Sequence, residues 1–124
     1  VSVELVASAT EDARINATLN GVGNLEIVNA KVEEYLVTAM ENKIKANTLI
    51  IDPPRDGMHP DALETIAKFA ASEIIYVSCN PATLTRDLEY LLRNTPYTLT
   101  DITPVDMFAH THHIECVVRL ELKK

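Results

Sequence analysis

The sequence predicts an α/β fold in which a mainly parallel sheet ends in an antiparallel hairpin. Short apolar runs rich in β-branched residues alternate with longer segments whose apolar residues recur every three or four positions. Proline steps follow two of the short runs, at Asp52-Pro53-Pro54 and at Asn80-Pro81, where proline ends a strand or begins a helix. The last two β-type runs have no helix between them, so we expect them to pair antiparallel.

The predicted element order is β-α-β-α-β-α-β-α-β-β. The predicted strands are residues 1–6, 25–28, 48–51, 74–77, 97–108 and 114–122, and the predicted helices are residues 8–20, 32–42, a segment that starts at residue 60, and 81–94. Ser8 is a candidate N-cap, because Glu11 follows three residues later. In the third helix, four residues are expected to face inward: Leu63, Ile66, Ala67 and Ala70. In the fourth helix, four leucines are expected inward, Leu84, Leu88, Leu91 and Leu92, and four charged residues outward, Arg86, Asp87, Glu89 and Arg93.

Composition and charge restrict the class of protein. The chain has 124 residues, 47% hydrophobic and 23% charged, so we expect residues 1–124 to form a single domain. No apolar run approaches the roughly 20 residues of a membrane span, and no signal peptide is recognisable, so the cytoplasm is expected and a membrane is not. The formal net charge of −7 argues against a stand-alone nucleic-acid binder, because phosphate neutralisation needs a surplus of Lys and Arg. Cys79 and Cys116 are expected to be free thiols.

Acidic or nucleophilic side chains fall at four strand ends. Glu4 and Asp52 end the first and third strands, Cys79 follows the fourth, and Glu115 begins the last. Ligands bind at the carboxyl ends of parallel strands, where an acid can accept hydrogen bonds from ribose hydroxyls and a thiol can act as a nucleophile. By position alone, Cys79 is as compatible with a buried core thiol as with a nucleophile. The strand-end acids are also compatible with solvated carboxylates that bind no ligand.

A cluster of metal-ligand residue types lies near the final strand: His110, His112, His113 and Cys116. Zinc requires side chains that converge on one point. His112 and Cys116 flank the start of a predicted strand, where alternate residues face opposite sides, and no second cysteine completes a tetrahedral set. We therefore expect no metal site, and interpret this segment as a His-rich loop beside a catalytic site.

Three segments carry a family resemblance. They are Asp52-Pro53-Pro54-Arg55-Asp56-Gly57, Val77-Ser78-Cys79-Asn80-Pro81-Ala82-Thr83-Leu84-Thr85-Arg86-Asp87 and Asp106-Met107-Phe108-Ala109-His110-Thr111-His112-His113-Ile114-Glu115. In this order they resemble the carboxyl-terminal half of the S-adenosylmethionine-dependent uracil-C5 RNA methyltransferases, which make 5-methyluridine in tRNA or ribosomal RNA. The resemblance implies a Rossmann-like methyltransferase fold, a three-layer sandwich that here lacks its first strand and Gly-rich loop.

The resemblance also implies the roles of four residues. The cysteine of the Ser-Cys-Asn-Pro motif is the family's nucleophile and corresponds to Cys79, while the glutamate of the last motif is its base and corresponds to Glu115. Two acids that contact S-adenosylmethionine correspond to Glu4 and Asp52. The implied partner is tRNA or rRNA, held by a longer protein whose amino-terminal RNA-binding and central domains precede this chain. The family's proline before His110 is replaced by alanine.

Two other functions stay open: a cytosine-C5 RNA methyltransferase, which also adds a cysteine to C6, and a non-catalytic cofactor-binding or interaction module. The family's first strand would lie between the first and third strands of this chain. Without it, we expect an incomplete cofactor pocket, no methylation by the isolated chain, and an open sheet edge that favours a homodimer.

Overall fold

The computed structural model describes residues 1–123 and confirms the predicted order of elements. The strands are β1 (Ser2–Glu4), β2 (Ile27–Asn29), β3 (Thr48–Ile51), β4 (Glu73–Ser78), β5 (Tyr97–Val105) and β6 (Glu115–Leu122). The helices are α1 (Ala7–Leu19), α2 (Val32–Glu41), α3 (Pro60–Phe69) and α4 (Pro81–Asn94). The chain divides into two compact units, the first comprising residues 1–43 and the second beginning at Ile44.

The first unit is a βαβα segment in which β1 and β2 pair in parallel, with Val3 opposite Val28. The first helix begins after Val6, whose backbone N–H donates to Glu4 Oε1 at 2.7 Å. The prediction of Ser8 as the N-cap is wrong, because the Val6 carbonyl already accepts from the Thr10 N–H, so the helix starts earlier and Ser8 lies in its first turn. The helix ends at the predicted Asn20-Gly21 step, where Gly21 adopts a positive φ of 65°.

The second unit contains a four-stranded sheet in the order β3-β4-β6-β5. Strands β3 and β4 are parallel, while β6 pairs antiparallel with both β4 and β5, as predicted for the terminal hairpin. The β5–β6 register shifts between Leu99 and Asp101, so Thr100 forms a bulge. Among residues 1–123, β3 pairs only with β4, which leaves its other edge open.

The core of the second unit lies against one face of this sheet. Burial alternates along β4, where Ile74, Tyr76 and Ser78 are buried and their neighbours are half-buried. The buried residues of β6, α3 and α4 complete the core: Cys116, Val118, Leu120, Ala62, Leu63, Ile66, Leu84, Leu88 and Leu91. Pro60 starts α3 as predicted, and the Asn80 side chain caps α4 by accepting from the Ala82 N–H at 3.1 Å.

Three predictions of side-chain direction are wrong. Ala70 is exposed and adopts a left-handed conformation at the end of α3, with a φ of 52°. Leu92 is 38% exposed, because it lies one helical step beyond the face formed by Leu88 and Leu91. Asp87, expected to face solvent, is 0% exposed, because the same helical spacing turns it toward the core, where it finds hydrogen-bond donors.

The neighbouring leucines of α4 provide a test of this packing. Leu91→Ala should lower the free energy of unfolding by about 2–5 kcal/mol, because Leu91 is fully buried and its removal leaves a cavity. Leu92→Ala should cost less than about 1 kcal/mol, because its side chain already contacts water. Urea unfolding of the purified chain measures both values, and equal losses would contradict the observed orientation of the helix.

Candidate active site

One end of the four-stranded sheet collects three of the four predicted site residues. Ile51 is opposite Tyr76 in the parallel pairing of β3 and β4, so Asp52 leaves the sheet beside the carboxyl end of β4. Cys79 directly follows β4, and Glu115 is the first residue of β6. Because β6 runs antiparallel to β4, its amino end meets the carboxyl ends of β3 and β4.

The register of β4 and β6 relates Cys79 to Glu115 directly. The last pair of the ladder is Ser78 opposite Cys116, so Cys79, which follows Ser78, and Glu115, which precedes Cys116, lie at the same end of the two paired strands. Both residues adjoin this pair, so they leave the ladder at the same point. Both side chains are half-buried, so the thiol and the carboxylate are accessible to a ligand.

The two cysteines occupy different environments. Cys79 is half-buried, whereas Cys116 is buried among the core residues of the opposite face, and this burial raises the pKa of the Cys116 thiol. Two hydrogen bonds across Cys79 stabilise the turn. Ser78 Oγ donates to the Asn80 carbonyl and accepts from the Asn80 N–H, both at 3.1 Å. Cys116 therefore has the character of a core thiol and Cys79 does not.

The segment from Asp52 to Met58 forms an anchored loop, here called the 52–58 loop. Its middle is held by the Arg55 carbonyl, which accepts from Asn80 Nδ2 and Thr83 Oγ1, both at 3.1 Å. Asp52 itself is exposed. The loop that carries one predicted site acid is thus attached to the residues that follow Cys79.

The Arg55 guanidinium reaches the His-rich loop. Its Nη2 atom lies 2.9 Å from His113 Nδ1, and the His112 and His113 rings are 4.2 Å apart. Burial lowers the pKa of His113, and the positive charges of His112 and Arg55 lower it further. Within residues 1–123, no three His, Cys, Asp or Glu side chains converge closely enough to hold a metal ion.

Asp87 is the site-adjacent residue that the sequence reasoning missed. Its Oδ2 accepts from the Tyr76 hydroxyl at 2.6 Å and from the Met58 N–H at 2.7 Å, and its Oδ1 accepts from Arg86 Nε at 2.9 Å. Burial and the bond to Asp87 raise the pKa of Tyr76 well above its usual value. The helical spacing indicates that Asp87 faces the core, because it lies three residues after Leu84 and four before Leu91, which are both buried.

Glu4 lies in the first unit, at the end of β1, and is half-buried. One of its carboxylate oxygens accepts from the Val6 N–H. The turn that follows is held by Asn29, whose side-chain amide donates to the carbonyls of Glu4 and Leu5 at 2.9 and 2.8 Å. Glu4 is therefore fixed at the carboxyl end of a parallel strand, the position expected of it.

Solved structures define the class of protein. The chain matches the Pyrococcus abyssi tRNA (uracil-54, C5)-methyltransferase, solved in complex with S-adenosyl-L-homocysteine, with a TM-score of 0.78 and 34% sequence identity over 95% of this chain and 27% of that one. The precorrin-6y C5,15-methyltransferase from Geobacter metallireducens GS-15 matches with a TM-score of 0.69, at 14% identity, over 98% of this chain and 65% of that one, a likeness of fold alone. The chain has a Rossmann-like methyltransferase fold, and the predicted fold class is confirmed.

The family follows from the sequence matches. The model of the tRNA (uracil-5-)-methyltransferase family matches residues 1–123, and this chain belongs to that family, which confirms the resemblance noted in its motifs. A relative from Fusobacterium nucleatum subsp. nucleatum, described as an uncharacterized RNA methyltransferase, is 41% identical over 122 residues, which is 98% of this chain and 26% of the relative. The chain therefore spans about a quarter of the length of the curated relatives it matches. The described residues include no helix that is long and apolar enough to span a membrane.

Proposed function

We propose that this chain supplies the nucleophile and the base of an S-adenosylmethionine-dependent RNA uracil-C5 methyltransferase that acts on tRNA or rRNA. Cys79 is the nucleophile and Glu115 the base. The observation that carries this proposal is the β4–β6 register, whose last pair, Ser78 opposite Cys116, is followed directly by Cys79 on one strand and preceded directly by Glu115 on the other. A thiol and a carboxylate at the same end of two paired strands can act on adjacent carbons of one ring.

The chemistry of uracil requires both groups. C5 is a poor nucleophile, so the Cys79 thiolate first adds to C6, and the displaced electron pair makes C5 an enolate-like carbon. This carbon would take the methyl group from the sulfonium sulfur of S-adenosylmethionine, which would keep the electrons of the broken S–CH₃ bond and leave as the thioether S-adenosylhomocysteine. Glu115 then accepts the C5 proton, and the electrons of that C–H bond restore the ring double bond as the C6–S bond breaks and releases the thiolate. The target base must leave its stack to reach these groups.

S-adenosylmethionine supplies the electrophilic methyl group when bound. Asp52 and Glu4 fit such a ligand in donor type, because each is a carboxylate at the carboxyl end of a parallel strand and can accept hydrogen bonds from hydroxyl or amino groups. Asp52 is exposed and Glu4 is half-buried, so both carboxylates are accessible. We assign cofactor contacts to these two residues.

A covalent trap tests the nucleophile. Full-length protein incubated with S-adenosylmethionine and RNA that contains 5-fluorouridine should form a stable adduct on Cys79, because fluorine replaces the proton that the base must remove. Cys79→Ala should abolish the adduct and lower methyl transfer by on the order of 10³-fold or more. Mass spectrometry of the digested complex identifies the modified residue.

Cys116→Ala is the matched control, since Cys116 is the other free thiol and is buried. This variant should keep the adduct. An active Cys79→Ala protein would support a non-catalytic role for this residue, and an adduct with 5-fluorocytidine RNA alone would indicate a cytosine-C5 enzyme.

The role of Glu115 has its own signature. Glu115→Gln should lower methyl transfer by about 10²–10⁴-fold, because the amide cannot accept the C5 proton. The same variant should accumulate a Cys79 adduct on ordinary uridine RNA, since addition and methylation precede the step that is lost. Gel analysis under denaturing conditions detects this adduct, and loss of both activity and adduct would contradict the assignment.

We further propose that residues 1–124 form part of one catalytic domain that is completed by chain outside this segment. The segment has three glycines: Gly21 and Gly23 lie in the turn after α1, and Gly57 lies in the 52–58 loop. On this proposal a glycine-rich loop outside the segment holds the cofactor, so the isolated chain should bind S-adenosylmethionine at least about 100-fold more weakly than the full-length protein. Isothermal calorimetry on both proteins measures the difference, and low-micromolar binding by the isolated chain would show the pocket to be complete.

The open edge of β3 supports the proposal of a homodimer of the isolated chain. Within the described residues this edge has unpaired backbone groups that a second copy can satisfy. The isolated chain should sediment as a concentration-dependent dimer. Ile50→Lys places a charge on a residue of β3 that is 69% exposed, and it should shift the equilibrium to monomer without unfolding the core. A chain that stays monomeric at all concentrations would remove this proposal.

A further inference from the structure

The buried carboxylate of Asp87 joins three parts of the candidate active site. Through Oδ2 it accepts from Tyr76, three residues before Cys79 on β4, and from the Met58 N–H at the end of the 52–58 loop. Asp87 itself belongs to α4, the helix that begins after Cys79. One fully buried side chain thus connects the strand, the helix and the loop that carry the proposed catalytic and cofactor residues.

Arg86 extends these contacts along the loop. Its Nε and Nη2 atoms donate to Asp87 Oδ1 at 2.9 and 2.8 Å, and Nη2 also donates to the carbonyls of Asp56 and Met58 at 3.0 and 3.2 Å. The Arg86 guanidinium therefore bridges the Asp87 carboxylate and the backbone of the loop. The pair holds the loop by three hydrogen bonds, and two further bonds join Arg86 to Asp87.

Gly57 shows how closely the loop lies on this pair. Its φ is 77°, and a Cβ at this position would lie 2.5 Å from Arg86 Nη2 and 2.7 Å from Asp87 Oδ2. No larger residue fits here unless the carboxylate and guanidinium move. The loop conformation and the position of Asp87 are consequently interdependent.

We propose that Asp87, assisted by Arg86, is a positioning residue that sets where the 52–58 loop, and with it Asp52, lies relative to Cys79; this inference rests on the proposed function. The Asp87 carboxylate is fully buried, whereas the Arg86 side chain is 55% exposed. A buried polar group defines one geometry when its hydrogen bonds are satisfied. The Asp87 oxygens accept from Met58 in the loop, Tyr76 on β4 and Arg86 on α4, so these contacts define one position of the loop. The ends of β4 and β6 that carry Cys79 and Glu115 are held by their own backbone ladder, which does not involve Asp87.

Asp87→Asn tests this inference in the full-length protein. The amide has one oxygen, so either the Arg86 side or the Tyr76 and Met58 side must face an N–H group and lose its bonds. The KM for S-adenosylmethionine should rise by about 10- to 100-fold, because a misplaced loop displaces Asp52, while kcat at saturating cofactor should stay within about threefold. Calorimetric binding of S-adenosylmethionine should weaken by the same factor as the KM.

Matched variants separate positioning from loss of fold. Gly57→Ala should also raise the KM, because the added Cβ displaces the loop from Arg86 and Asp87. Gly21→Ala is the matched control: its φ is also positive, at 65°, but no atom lies within 4 Å of the added Cβ, so the KM should not change. Tyr76→Phe keeps the bond to Met58 and should raise the KM less than Asp87→Asn does. Thermal melting of each variant reports the folded fraction.

The inference is overturned if Asp87→Asn lowers the melting temperature and kcat together while the KM and cofactor affinity stay as in the unaltered protein, because Asp87 would then be structural only. If the wild-type protein binds S-adenosylmethionine and methylates uridine, and the variants have the same KM as the wild type, this inference is likewise overturned and the proposed function stands. An unaltered protein that neither binds the cofactor nor modifies uridine overturns the proposed function and this inference with it.

Discussion

Backbone pairing on both sides of β4 determines the geometry of the second unit. The strand is parallel to β3 on one side and antiparallel to β6 on the other, so its carboxyl end lies beside Asp52 and beside the amino end of β6. A slip of one residue in either ladder would turn every side chain of the slipped strand to the opposite face. The alternating burial of Ile74, Tyr76 and Ser78 opposes such a slip, because it would expose these core residues. Core packing and the meeting of the ends of β4 and β6, where Cys79 and Glu115 lie, therefore depend on the same register.

Much of the fold could be predicted, because its signals are local. Alternation of apolar runs gave the element order, and the steps at Asn80-Pro81 and Pro60 marked two helix starts correctly, since a cap and a first-turn proline act within a few residues. Ser8 has the same type of cap signal, yet the helix begins after Val6, whose N–H is bound by Glu4 from the preceding strand. The competing acceptor lies in the preceding strand, so no pattern within the helix reveals it.

The candidate site could be predicted only in part, because some of its contacts join residues that are distant in sequence. Motifs and strand ends predicted Cys79, Asp52, Glu4 and Glu115 as site residues, and these stay predictions, but they did not indicate the contacts of Asp87. Asp87 was expected outside because charged residues seldom lie in a core. Its burial depends on donors from Met58 and Tyr76, which are far from it in sequence, and on an arginine that folds back from the adjacent position. Leu92 is the converse case, an apolar residue at an ambiguous helical position that stays 38% exposed.

The bulge at Thr100 gives the two edges of the four-stranded sheet unequal properties. At β5, the register shift bends the strand, and Pro104 removes a backbone donor, two features that discourage pairing with another chain. At β3, neither feature interrupts the short run Thr48–Ile51. A sheet that can add a strand at only one edge cannot propagate into a fibril, because each addition uses the sole available template. In the proposed homodimer, the irregular strand therefore favours a closed pair over an extended array.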